Sequence, residues 1–241
     1  MQFSTYNESS LHHTLKLFYA EKYEGKTEVD LDGHVYDIVT INNDVIEIQT
    51  KTLSALYNKT VDAIAKGHNV KIVHPIPIKT LIKLYDENQN LIKESRSSKK
   101  GSLYDIFREV TKLYPVLLDR HFSLEIVEIN MTEKRIQTSE PVQSKNGRRR
   151  FKKNWIKTDK LLEEIIETKT FNKKTDYIKL LPKSLPEVFC ANDLKISLKK
   201  EKLAPARIYN NPHIIIWVLS KMELISMTDI KNRNHYYKIN L

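Results

Sequence analysis

Apolar and polar residues alternate over Thr27–Leu31, two more strand-like runs follow by Gln49, and from Leu53 the apolar residues recur at helical spacing. That switch of period constrains the fold more than any other feature of the chain. Thr27-Glu-Val-Asp-Leu31, His34-Val-Tyr-Asp-Ile-Val39 and Val45-Ile-Glu-Ile-Gln49 read as short strands. Asp32-Gly33 is a hairpin turn signal, and Asn42-Asn-Asp44 is a second turn, so the three runs are antiparallel neighbours. Leu53, Leu56, Tyr57, Val61 and Ile64 then fit a helix, with Gly67 at the place of a C-cap glycine. Asn69-Val-Lys-Ile-Val-His74 is again a strand, which Pro75 and Pro77 should close. Antiparallel strands, a crossover helix and a further strand predict an α/β (α+β) fold, a mixed sheet flanked by helices.

The flanks are read the same way. Leu11, Leu15 and Phe18 predict a first helix over Ser10–Ala20, capped by Asn7, Ser9 or Ser10, with Glu8 beside its N-terminus. Leu81–Tyr85 and Leu91–Lys93 flank Asp86–Asn90 as a hairpin. Ser102–Tyr114 is expected as a helix with Leu103, Ile106, Phe107, Val110 and Leu113 inward, and Phe122–Ile129 as a strand. Met131–Asn154 is polar and basic. Lys145–Lys160 holds eight Lys or Arg and one acid, Asp159, and reads as a mobile connector. A helix should follow from Thr158, with Leu161, Leu162, Ile165 and Ile166 apolar. Beyond Pro182 and Pro186 come a helix over Ala191–Lys199 and another over about Ile208–Met222, in which Pro212 either breaks a turn or marks the true start. A hairpin closes the chain, turning at Lys231–Asn234. Helices followed by a basic hairpin match a winged helix-turn-helix. The expected domains are therefore 1–132, a basic connector with a helix over 133–184, and a winged helix over 185–241.

Composition narrows the function classes. The 241 residues carry 40 Lys or Arg against 30 Asp or Glu, a net charge of +10, which favours polyanionic partners. The single cysteine, Cys190, excludes an intramolecular disulfide and a Cys-based zinc site, and it lacks a base to activate it. No run approaches the roughly 18 apolar residues of a membrane span. The first residues lack the basic and apolar regions of a signal peptide. The expectation is a cytoplasmic protein without a membrane segment.

Chemistry concentrates in Tyr36-Asp37…Glu47-Ile-Gln49-Thr-Lys51. Asp37 interrupts an apolar strand, and Glu47 and Gln49 share one face of the next. Two carboxylates side by side on adjacent strands are costly to bury unless a cation joins them. Mg²⁺, bound by one or two carboxylates plus waters and phosphate oxygens, fits that need. The same pattern also reads as a solvated sheet face. Glu28 is a further acidic position, either a ligand or a partner for Lys26. Neighbouring His12 and His13 point about 100° apart on a helix and make poor joint ligands. His12 lies one turn from Glu8, and His74 ends an apolar strand as a structural histidine would. Ser97-Ser-Lys99-Lys100-Gly-Ser102 is a basic loop without Walker spacing. Arg148-Arg149-Arg150-Phe151-Lys152-Lys153-Asn-Trp155 interleaves charge with aromatic rings, as phosphate contact and base stacking require.

Asp37…Glu47-Ile48-Gln49 resembles the PD-(D/E)XK, or restriction-endonuclease-like, nuclease superfamily. In that fold one strand of a mixed sheet carries an Asp, the next carries Glu-x-Lys, and a helix crosses over. Glu8 matches a helix Glu found in several branches. Glu8-Ser-Ser-Leu-His12, Glu47-Ile-Gln-Thr50, Val70–Pro75, Ser98–Leu103 and Phe122–Glu125 look like a branch of uncharacterised bacterial proteins. There a nuclease-like core precedes an Arg-rich stretch and a winged helix. The resemblance implies a metal-dependent DNA endonuclease acting on duplex or branched DNA. Glu8, Asp37 and Glu47 would hold Mg²⁺ or Mn²⁺, and Gln49 would position the water where the superfamily has lysine. Lys51 would supply charge if the strand extends that far. Lys99, Lys100, Arg148, Arg149, Arg150, Lys152, Lys153, Arg207, Lys231 and Arg233 would contact nucleic acid. Duplex cutters often form homodimers, although no dimer surface is readable here. Two alternatives stand beside this: a regulator that binds DNA through a degenerate nuclease fold without cutting it, and a module whose basic face meets an acidic protein.

Overall fold

The computed structural model describes residues 9–144, 147 and 149–240. Glu8 and Arg148 lie outside the described residues.

Helix α1 (Ser10–Lys22) begins at Ser9, whose hydroxyl accepts the His12 N–H. Leu11, Leu15 and Tyr19 face inward; the expected Phe18 is exposed, because the buried stripe turns through its neighbour Tyr19 instead. Strands β1 (Lys26–Leu31), β2 (His34–Val39) and β3 (Val45–Ile48) follow as antiparallel neighbours. Asp32 and Gly33 at positive φ make the first turn. A 3₁₀ turn, Leu53–Leu56, leads into α2 (Tyr57–Ala65), which carries the chain across to β4 (Val70–Tyr85), parallel to β3. Strand β5 (Leu91–Arg96) returns on β4, and β6 (Phe122–Val142) and β7 (Lys153–Phe171) complete the sheet. The order is β1-β2-β3-β4-β6-β7, with β5 also paired to β4. The result is a large mixed sheet with helices on both faces.

Strand β4 does not close at its prolines. Val73 O accepts from Gln49 N, and Pro77 O accepts from Gly101 N. At a period of two, residues 73, 75 and 77 all turn toward the side that β3 has left and β5 has not yet reached. The missing proline N–H groups therefore fall on an edge with no strand to receive them, and the ladder to β6 continues on the other side.

The segment expected as a mobile connector and helix is strand instead. The 132/133 boundary falls inside β6, and Thr158–Ile166 lies within β7. Leu162 and Ile165, three apart, pair with Met131 and Ile129, two apart. One extra residue between them on β7 makes a bulge, so a helical spacing in sequence becomes one strand face in space. The Ser102–Tyr114 helix is also broken, into a 3₁₀ turn (Leu103–Asp105), α3 (Ile106–Glu109) and another 3₁₀ turn (Val110–Lys112).

Next come α4 (Lys174–Ile178), β8 (Val188–Cys190), α5 (Ala191–Lys200), α6 (Ala206–Tyr209), α7 (His213–Lys221), β9 (Ile225–Lys231) and β10 (Asn234–Ile239). Pro212 is the N-cap of α7 and splits the single expected helix into two. Strands β8, β10 and β9 form a second small sheet. The β9–β10 turn has positive φ at Asn232 and Arg233, the two-residue turn that matches strand twist.

Two apolar clusters hold the molecule. α1 covers one face with Ile38, Ile46, Ile48, Val73, Val127 and Ile129. The other cluster runs from Tyr36, Val45 and Ile72 through Phe107 and Leu113 to Phe189, Leu194, Ile215 and Leu219 without a break. An Arg207–Asp105 ion pair and a 2.6 Å hydrogen bond from Tyr104 Oη to Leu180 O tie the two sheets' elements together. Among the described residues no helix is long and apolar enough to cross a membrane.

Candidate active site

The β2–β3 ladder is short. Its pairs are Val39↔Val45 and Ile38↔Ile46, and beyond them carboxylates replace the ladder. Ile48 N–H donates to Asp37 Oδ2 at 2.8 Å, and Asp37 N–H donates to Glu47 Oε1 at 3.3 Å. The two acids therefore sit where the strands part, each bonded to the other's strand.

Each also has a basic partner. Lys59 of α2 donates to Glu47 Oε1 at 2.5 Å and to Val35 O at 2.5 Å, with its ammonium 4.5 Å from the Tyr36 ring centroid. His12 of α1 places Nε2 3.3 Å from Asp37 Oδ2. Helices on both faces of the sheet thus bring a basic side chain to the pair, Lys59 from α2 and His12 from α1. The pairs on either side set Glu28 across from Asp37 on β1. Glu28 is held at a φ of 54° and pairs with buried Lys16, not with Lys26. His12 and Lys16 are one turn apart on α1, so one helix face reaches both acids.

Electrostatics separates the pair. Burial, then the Asp37 charge, pushes the Glu47 carboxyl up to about 7, partly offset by Lys59. Burial also works against charge on Asp37. The His12 hydrogen bond and charge, the Ile48 N–H and Lys16 outweigh it and hold that carboxyl below the usual range. One acid thus stays ionised near neutrality while the other is poised to exchange a proton.

Gln49 follows the end of β3. Its side-chain oxygen accepts the Lys51 N–H at 3.2 Å, and its backbone oxygen accepts from His74 Nδ1 at 2.6 Å. Burial holds His74 below its usual range, in keeping with a neutral structural ring. β3 ends at Ile48, so Lys51 lies in a bend and not on the strand face. Half-buried Lys160 of β7 feels both Lys51 and Lys157, and burial together with those charges lowers its ammonium.

The remaining candidates are dispersed. Lys100 and Arg207 line a cleft between the large sheet and the α5–α6 turn, while Lys99 sits in the loop before it. Arg149 and Arg135 place their guanidiniums 4.1 and 3.7 Å from the Trp155 ring centroid, so Trp155 already carries cations at its ring. Phe151 is exposed beside Arg150, and Lys152 and Lys153 are exposed at the start of β7. Lys231, paired with Asp229 at 2.8 Å, and Arg233 sit at the β9–β10 turn.

Among the described residues no group of three or more His, Cys, Asp or Glu side chains is arranged to hold a metal ion. The donor set nevertheless fits Mg²⁺ in part. Among the described residues, the hydrogen bonds and ion pairs of the pair fall on Asp37 Oδ2 and Glu47 Oε1. Sequence reasoning missed Lys59, Lys16 and the Asp37 partnership of His12. The signal available was the His12–Lys16 spacing of one turn within a helix whose inward residues are apolar.

Residues 9–172 match the family described as Domain of unknown function (DUF8091). The chain belongs to the DUF8091 family. The matched segment runs from the N-cap of α1 to the end of β7, so the DUF8091 unit is the whole large sheet with its helices. An "Uncharacterized protein" of Treponema pallidum (strain Nichols) is 31% identical over 194 residues, covering 80% of this chain and 74% of that one. No solved structure matches.

Proposed function

We propose that the chain is a metal-dependent DNA endonuclease of restriction-endonuclease-like fold, with a winged helix formed by α5, α6, α7 and the β8-β10-β9 sheet. The observation that carries this reading is the Asp37–Glu47 pair at the point where β2 and β3 part. Its setting supports it: a helix, three antiparallel strands, a crossover helix and a strand parallel to the third. Asp37 and Glu47 would hold Mg²⁺ or Mn²⁺, with Glu8 as a further ligand, and the ion would polarise a phosphodiester and acidify a water. Lys59 takes the part that the superfamily pattern gives to lysine at the Gln49 position, a fixed positive charge beside Glu47. Gln49 can hold a water but adds no charge. The basic β6–β7 loop around Arg149 and Arg150, with Lys231 and Arg233 of the hairpin, would meet phosphates on duplex or branched DNA.

A second reading rests on a specific observation. Lys59 and His12 already partner the two acids, an arrangement that suits a DNA-binding regulator holding no metal. Nicking of plasmid and branched DNA with Mg²⁺ and with Mn²⁺ separates the two. The nuclease reading expects cleavage in the wild type, its loss in Asp37→Ala, Glu47→Ala and Lys59→Ala, and a rate changed but not abolished in Gln49→Lys. Wild type that cuts nothing, with tighter DNA binding in Asp37→Ala, moves the assignment to the regulator.

A further inference from the structure

A cleft of about 880 Å³ opens between the large sheet and the C-terminal elements, and none of its lining residues belongs to the Asp37–Glu47 site. Its size lies in the range of small-ligand sites, and junctions between structural units are where such sites occur. The floor is apolar: Ile78 of β4, Leu103, Phe171 at the end of β7 and Leu203. Around it stand five cations, Lys100, Lys169, Lys179, Lys202 and Arg207, against two acids, Glu128 and Asp176.

The charges are not spent equally. Arg207 is paired with Asp105, and Lys169 lies 2.8 Å from Glu167. Asp176 accepts the N–H groups of Asn172 and Lys173 at 3.2 Å each. Lys100, Lys179 and Lys202 form no ion pair among the described residues, and no described side chain engages the Glu128 carboxylate. Three lysines without an ion pair among the described residues line one concavity, from the loop before Leu103, from the segment after α4 and from the turn after α5. Five cations against two acids leave the cleft with a net positive charge, which attracts an anion. An apolar floor suits a planar ring, and a lone carboxylate acceptor suits sugar hydroxyls or an exocyclic amine.

We propose that this cleft binds a nucleoside phosphate: phosphates on Lys100, Lys179 and Lys202, the base over the apolar floor, and Glu128 on the sugar or base. The site does not depend on the nuclease reading, because it needs neither Asp37 nor Glu47.

The test is direct binding to the full chain in the presence of EDTA, which removes any metal-dependent cleavage from the readout. Fluorescent N-methylanthraniloyl-ATP is the probe, and ATP, inorganic triphosphate, adenosine and a ten-nucleotide single-stranded DNA are the competitors. Saturable binding that ATP displaces at least about tenfold better than triphosphate or adenosine alone is expected. Lys100→Glu and Lys202→Glu should each weaken it about tenfold or more, and the milder Lys202→Ala should weaken it in the same direction. Lys26→Glu, an exposed charge change outside the cleft, should leave it unchanged. Absence of saturable binding, affinity indifferent to the cleft lysines, or triphosphate competing as well as ATP would overturn the proposal. DNA displacing the probe better than ATP would overturn it too, by making the cleft part of a nucleic-acid path.

Discussion

At the scale of single residues, the carboxyl of Glu47 links the site to stability. Its folded value of about 7 lies above the ordinary 4.5. A group raised in this way favours the folded state below its unfolded pKa, and the advantage is lost as pH rises through the folded one. Stability contributed by Glu47 should therefore decline between about pH 4.5 and 7, by on the order of 2–3 kcal/mol for a shift of this size. Glu47→Gln keeps acceptors for Lys59 and Asp37 but cannot ionise. Its stability relative to wild type should rise across that window in denaturant melts, and a constant difference would remove the basis for a perturbed Glu47. Asp37 works in the opposite sense. Held below its ordinary range, it contributes stability that is lost as pH falls through its folded value. Lys59→Met is the sharper change above pH 7, where Glu47 is ionised. It strands a carboxylate that is only 7% exposed, and removing one partner of a buried pair typically costs about 3–5 kcal/mol. The cost should shrink toward pH 5, where Glu47 takes up a proton instead; equal destabilisation at pH 5 and pH 8 would argue that Lys59 acts only through packing on Tyr36.

At the scale of elements, the periodicity reading places β1, β2, β3, α1 and α2, although Phe18 and Val61 of the expected apolar stripes are exposed and the run from Leu53 begins as a 3₁₀ turn. It fails where an irregularity carries the structure. The prolines of β4 lie on an edge with no strand partner, and the bulges of β7 make an i, i+3 pair of apolar residues share a strand face. Neither feature is written in local sequence, because both depend on which strand lies alongside. The edge of β4 next to its prolines is covered by the turn ending at Gly101, whose N–H donates to Pro77 O at 2.7 Å. A Cβ at residue 101 would stand 2.4 Å from Ile76 Cγ2 and 2.7 Å from Pro77 O. Gly101→Ala must displace a strand or its cover, and overpacking of this kind costs about 1–3 kcal/mol. A melting temperature several degrees lower is expected. An unchanged one would mean that the turn is not held against β4.

At the scale of the whole molecule, the continuous apolar cluster from Tyr36 to Leu219 makes the large sheet and the C-terminal elements one cooperative body. Thermal and denaturant unfolding of the full chain should follow a single transition by far-UV dichroism and by tryptophan fluorescence, since Trp155 is in β7 and Trp217 in α7. Two separated transitions would show that the shared core contributes little. The net charge of +10 belongs to this scale as well. If the basic loop and hairpin meet DNA, log affinity should fall linearly with log salt, with a slope near −0.9 for each phosphate contacted. Arg149→Ala should reduce that slope by about one contact; a flat salt dependence in the wild type would favour an acidic protein partner instead.

Sequence alone determined the strand–turn–strand–helix order, the antiparallel run from Lys26 to Ile48 and the nomination of Asp37 and Glu47. These follow from short-range rules: side-chain alternation, turn chemistry and capping act over a few residues. Tertiary structure alone decided that β6 and β7 run long through the basic segment and that Lys59 and His12 reach the two acids from opposite faces. It also decided that Lys100, Lys179 and Lys202 meet around one cleft. Those outcomes join residues far apart in the chain, and pairing, burial and electrostatic compensation between distant segments leave no periodic trace in the sequence that encodes them.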